Sequence, residues 1–153
     1  MRLSLCYSNG LDCLPNMPSV LKRHLQELPH SISGLSFTQR LALDALKKQS
    51  NPISVSKWFQ LYQKIEPLPY LGDAMFYALI LPLATNESPL VAIDSPEKSW
   101  WEQQVCITQH GIHCLNGQVK FAQQYWVGGI PNNNKSRWDW DHLQLSSLSN
   151  VQC

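Results

Sequence analysis

Residues 89–108 read PLVAIDSPEKSWWEQQVCIT, and the fold turns on whether they form a hairpin. PLVAI is a short apolar run and DSPEKSW is rich in turn formers. In WEQQVCIT, Val105 and Ile107 alternate with Cys106, the period-two pattern of a strand. Two short strands around a turn predict an antiparallel hairpin.

What precedes the hairpin reads as helices. LGDAMFYALILPLA (71–84) is apolar nearly all round, the mark of a mostly buried helix, with Asp73 as its cap and Pro82 expected to end or kink it. SNPISVSKWFQLYQKIE (50–66) takes Ser54 as N-cap, sets Val55, Trp58, Tyr62 and Ile65 on one side, and stops before Pro67. GLSFTQRLALDALKKQ (34–49) opens with a capping box, Ser36 and Gln39, and repeats Phe37, Leu41, Ala45 and Leu46 at helical spacing. Further upstream, PSVLKRHLQELP (18–29) predicts a short amphipathic helix between Pro18 and Pro29. Its apolar stripe is Leu21, His24, Leu25 and Leu28, which makes His24 a core or boundary histidine.

Downstream, YWVGGI (125–130) and RWDWDHLQL (137–145) read as two more short strands separated by the polar loop PNNNKS. The expectation is an α+β fold of winged-helix-like type. It has four helices in the first half, then a wing hairpin, one further helix and a small antiparallel sheet. A single domain over 1–153 is expected, with a C-terminal strand extension and with 1–13 poorly ordered.

Composition narrows the function classes. The chain has 153 residues and 44% apolar content, enough for one core without staples. Its 12 Lys+Arg against 11 Asp+Glu give a net charge of +1, with the basic residues scattered, so no nucleic-acid footprint is seen. No segment has the length of a membrane span or of a signal core, and five cysteines form an odd set that a reducing compartment would keep as thiols. A cytoplasmic protein without a disulfide framework is expected.

Six patches, LKRHLQELP, GLSFTQR, LGDAMF, ITQHGIHCLNG, WVGGI and WDWD, follow one another in register. In this order they resemble the C-terminal region of a bacterial family known as domain of unknown function 1835, over roughly residues 14–145. The resemblance implies a winged-helix-like module and carries no biochemical activity with it. The family usually ends in Trp-Arg-Trp-Asp; here Asp139 stands between Trp138 and Trp140, so no role needing that arginine carries over. The family's separate N-terminal domain is also expected to be missing.

CITQHGIHC (106–114) raises the question of a metal. On a helix starting at Thr108, His110, His113 and Cys114 gather at i, i+3 and i+4 and are expected to face solvent, opposite Ile112 and Leu115. Zinc would need Cys106 as a fourth ligand, but structural zinc sites draw paired ligands from two separated segments, and the second pair is missing. The stretch is read as a strand-to-helix joint, and no metal or other cofactor is expected.

Other candidates have structural readings as well. Asp73 is taken as a helix cap, with catalysis as its alternative. Gly128 and Gly129 lack the spacing and following helix of a phosphate loop, and are read as allowing a bulge or a close backbone approach. Strand alternation sets Trp138 and Trp140 on one face and Asp139 and Asp141 on the other. With Trp126 nearby in the chain, the aromatic face is core or a partner surface, and a carboxylate-pair glycosidase site is a remote alternative. No nucleophile elbow or triad is present.

Three function classes result. The first is a non-catalytic protein-interaction or scaffolding module. A chain without its family's other domain favours it, since a module that once packed on a neighbour keeps a sticky face, and six tryptophans suit interface anchors. The candidate surface is Trp126, Gly128, Gly129, Trp138, Trp140 and Asp141, and the partner an unknown protein. The second is a DNA-binding winged helix, disfavoured because residues 72–85 hold no Lys, Arg, Asn or Gln and Lys98 is the hairpin's sole basic residue. The third is an enzyme with an undisclosed site.

Overall fold

The computed structural model describes residues 14–95, 97–123, 125–127, 129–132, 137–140 and 145–148. Among these the helices are α1 (Met17–Leu25), α2 (Phe37–Lys47), α3 (Val55–Ile65), α4 (Asp73–Thr85) and α5 (Gln109–Leu115). The strands are β1 (Ile53–Ser54), β2 (Val91–Asp94), β3 (Gln104–Ile107), β4 (Tyr125–Val127), β5 (Ile130–Asn132), β6 (Arg137–Trp140) and β7 (Leu145–Leu148). The fold is therefore α+β, with helices leading and every strand pair antiparallel.

The expected hairpin forms. β2 pairs with β3 in the register Val91↔Ile107 through Asp94↔Gln104, and β1 adds to the far edge of β3 to give the order β1-β3-β2. β1 is too short for alternation to reveal it. It is held by position, as the amides of Val55 and Ser56 donate to the carbonyls of Gln103 and Trp101, both at 3.0 Å. The chain thus runs α2, β1, α3, α4, β2, β3, with the sheet closing one side of the helix trio.

The two middle helices begin where their caps put them. Ser36 Oγ accepts from the Gln39 amide at 3.2 Å while Gln39 Oε1 accepts from the Ser36 amide at 3.1 Å, a reciprocal capping box. Ser54 Oγ caps α3 by accepting from Lys57 N at 3.2 Å. The buried stripe of α2 is Ala42, Leu43, Ala45 and Leu46, turned from the predicted one so that Phe37 and Leu41 lie at its margin. α3 buries Val55, Trp58 and Tyr62 as expected, but Ile65 is 37% exposed because the helix runs out past the core there.

These stripes meet α4 at Phe76. The Trp58 ring stands edge-on to it at 5.5 Å and 83°, Tyr62 stacks at 4.9 Å and 30°, and the Trp58 indole N–H donates to Ala42 O at 2.7 Å. Burial of each such large side chain contributes on the order of 1.5–3 kcal/mol. The Tyr77 ring lies 4.9 Å from Trp100, which pins the hairpin to α4.

α4 departs from its sequence reading. Its apolar circumference predicts burial, yet only Phe76, Ile80 and Leu83 are buried, and Met75 is 57% exposed. The neighbours cover one side of the helix and leave an apolar side open. The helix also runs through Pro82 to Thr85 instead of ending there. The carbonyl that loses its donor to Pro82 belongs to Ala78, an exposed residue.

α1 is likewise turned. His24 is exposed rather than in the core and Leu21 is 37% exposed, whereas the residue that α1 buries is Arg23, at 5%. YWVGGI is not one strand but two: Val127↔Ile130 pairing makes β4 and β5 a hairpin around a two-residue loop. Gly129 has φ +80 and nothing within 4 Å of where a Cβ would sit, so it serves the turn and not a close backbone approach. Gly128 and Asp141 lie outside the described residues, as does 1–13.

Candidate binding groove

Two adjoining cavities meet at His24 and Tyr70, and the second of them runs along the uncovered side of α4. The first, about 450 Å³, is lined by Val20, Leu21, Arg23, His24, Leu68, Pro69 and Tyr70. The second, about 390 Å³, runs from His24, Glu27 and Tyr70 across Met75, Ala78 and Leu79 to Gln123, Trp126 and Val127. His24 and Tyr70 line both, so the two adjoin as one groove, its first half between α1 and residues 68–70 and its second between α1, α4 and β4.

Trp126 forms its far wall for a local reason. Val127 turns inward to pack with Leu28, Leu25 and Phe37, and strand alternation then sends Trp126 outward, 70% exposed. Gln39 anchors this wall from beneath, its amide donating to Leu79 O at 3.1 Å and to Gln123 Oε1 at 2.9 Å.

The floor of the groove is charged but closed on itself. Arg23 Nε donates to Glu66 Oε1 at 2.8 Å and Nη2 to Glu66 Oε2 at 2.7 Å, while Nη1 reaches Glu27 Oε1 at 2.6 Å and Nη2 also meets Thr38 Oγ1 at 2.8 Å. Tyr62 donates to Glu66 Oε2 at 2.7 Å, and the exposed Tyr70 donates to Glu27 Oε1 at 3.1 Å. The guanidinium lies 4.8 Å from the Phe37 ring centre and 5.2 Å from that of Tyr70, aromatic contacts that suit its flat, weakly hydrated face.

Proton affinities follow. Burial works against the Arg23 charge, but hydrogen bonds to Glu66 and Glu27 outweigh it and hold the guanidinium protonated beyond its ordinary range. Burial likewise opposes the Glu66 carboxylate, and the bonds from Arg23, Tyr62 and the Leu68 amide overcome it and keep Glu66 below the usual carboxylate range. Burial, then the negative charge of Glu27, pushes the Tyr70 phenol up to about 12.

The residues singled out from sequence scatter. Trp126 stands in the groove. Trp138 and Trp140 lie in β6, opposite Ser147 and Leu145 of β7, and the aromatic face expected of them falls on side chains outside the described set. Asp73 does not cap α4. Gly72 occupies the cap position, and Asp73 is the exposed first residue of the helix, accepting from its neighbour Ala74 N at 2.7 Å.

The histidine–cysteine set is also not brought together as drawn. Thr108 caps α5 through the Gly111 amide at 3.0 Å, and this fixes the helix so that Cys114 is fully buried and not solvent-facing. Its thiol donates to Ser33 O at 3.4 Å, and burial pushes its pKa up to about 11. His113 instead pairs with Gln109, ring Nε2 to Nε2 at 3.0 Å, His110 is partly exposed on α5, and Cys106 is half-buried in β3. Among the described residues no group of three or more His, Cys, Asp or Glu could hold a metal.

Sequence reasoning missed Arg23, Glu27, Glu66 and Tyr70. Arg23 and Glu27 do stand at i and i+4, but that spacing usually marks an exposed pair. The chain matches no protein-family model, no curated protein and no solved structure.

Proposed function

We propose that this chain is a non-catalytic protein-interaction module acting in the cytoplasm, with the groove between α1, α4 and β4 as its contact surface. The observation that carries this reading is the open side of α4. Met75 is 57% exposed and faces a groove whose opposite wall is Trp126, 70% exposed, with Tyr70 between the two halves. An exposed apolar surface bordered by a rigid aromatic is the usual form of an interaction site.

A DNA-binding winged helix is the second reading, and the element order favours it: α2, β1, α3, α4, β2, β3 with the sheet β1-β3-β2. In that reading α4 would enter the major groove. Residues 72–85 offer no Lys, Arg, Asn or Gln to base edges or phosphates, which argues for protein as the partner. Membership of the family domain of unknown function 1835 is part of the same proposal and rests on the six patches quoted above. An enzyme is a weaker reading, since the charged groups at the groove floor are engaged with one another.

Affinity capture from the native host with mass spectrometry tests the interaction reading. Proteins retained by the wild type and lost by a folded Met75→Glu variant are expected; retention indifferent to that substitution would overturn it. Among the described residues no helix is long and apolar enough to cross a membrane.

A further inference from the structure

We infer that the groove's occupant is a second copy of this chain, with Trp126 of each copy inserted into the first cavity of the other. The inference rests on the interaction reading and names its partner.

One face carries both a knob and a hole. The knob is the Trp126 indole, held outward because Val127 is locked into the Leu28 cluster. The hole is the cavity of about 450 Å³ walled by Val20, Leu21, Leu68, Pro69 and Tyr70. That volume lies within the ~300–1,000 Å³ range of pockets that enclose whole small molecules, so one indole fits. His24 and Tyr70 line both halves of the groove, whereas Trp126 lines only the second and Val20, Leu21, Leu68 and Pro69 only the first, so knob and hole flank this junction.

A two-fold axis passing near His24 and Tyr70 would bring each Trp126 to the other copy's hole, and a two-fold interface requires this kind of reciprocal fit on one patch. The area agrees. Val20, Leu21, Leu68, Tyr70, Met75 and Trp126 are 51%, 37%, 39%, 49%, 57% and 70% exposed. Together they present on the order of 600 Å², most of the ~800 Å² per partner that a stable interface buries. The Arg23 charge is met within the floor by Glu66 and Glu27, so it does not have to be desolvated by the second copy.

Sedimentation velocity of the full chain at about 100 µM under reducing conditions tests this. The wild type is expected as a dimer. Trp126→Ala, which removes the knob at an exposed position, and Val20→Glu, which spoils the hole on an exposed helix face, are each expected to weaken association at least tenfold. An equimolar mixture of the two variants pairs one intact knob with one intact hole and is expected to recover a heterodimer, weaker than the wild type. Circular dichroism of both variants reports whether the fold is intact. A monomeric wild type, dimers indifferent to both substitutions, or folded variants that stay monomeric when mixed would each overturn the inference. A monomer that still captures a foreign protein through Met75 would leave the interaction reading standing while removing the second copy.

Discussion

The guanidinium of Arg23 and the carboxylate of Glu66, 43 residues apart, meet edge to edge beneath the groove through two hydrogen bonds of 2.8 and 2.7 Å. The pair joins α1 to the end of α3 and so fixes one wall of the binding surface. Removing the carboxylate leaves a buried charge with only Glu27 against it, and Glu66→Gln is expected to cost ~3 kcal/mol in chemical denaturation.

The same pair sets the acid limit of stability. Glu66 is held below its ordinary range in the folded state, so its contribution is present above the unfolded value of about 4.3 and is lost as pH falls through the folded value. Wild-type stability should decline below about pH 4, and Glu66→Gln should flatten part of that decline. An unchanged acid limb in the variant would contradict the assignment.

Gly111 is required by a close approach. A Cβ there would lie 2.3 Å from Leu90 O, the carbonyl that also accepts the Thr108 amide at 3.0 Å. Because backbone and not a flexible side chain stands in the way, Gly111→Ala should cost ~3 kcal/mol by displacing α5 from β2. A melting temperature equal to wild type would show that α5 does not seat on Leu90.

Cys114, fully buried with its pKa pushed up to about 11, should be unreactive toward a maleimide at pH 7.5 in the native protein. Cys106, half-buried, should react first of the two. Peptide mapping after labelling distinguishes them, and denaturant should release Cys114. Rapid native labelling of Cys114 would contradict its placement.

Asp73 follows the cap at Gly72, and its carboxylate reaches no amide beyond the adjacent one. Its remaining influence is charge at a helix N-terminus, so Asp73→Asn and Asp73→Ala should both cost only about 0.3–1 kcal/mol. A true cap would instead tolerate Asn and lose about 1 kcal/mol on Ala. Equilibrium unfolding of the two variants separates these patterns.

The capping residues, Ser36 with Gln39 and Ser54, were readable because a cap and its partner lie within three positions. The β2–β3 hairpin was readable because Val105 and Ile107 alternate around Cys106. The groove was not, for two physical reasons. Arg23 is a residue type that normally stays in water, and its burial depends on Glu66, which no local pattern connects to it. On α4 every face is apolar, so periodicity cannot say which side the neighbours leave open; that is decided by where Tyr70 and Trp126 fall in three dimensions. Cys114 was misplaced because a seven-residue helix offers too few positions for its apolar side to be told from sequence.

Protein is the expected occupant of the open side of α4. The most direct measurement is photo-crosslinking in the native host with a benzophenone side chain at Met75, compared with the same group at Lys48, at the other end of α2 from the groove. Sensitivity of each adduct to protease and to nuclease identifies its chemistry. A protease-sensitive, nuclease-resistant adduct at position 75 and none at 48 is expected. A nuclease-sensitive adduct at 75, or equal adducts at both positions, would rule out protein as the specific occupant of this side of α4.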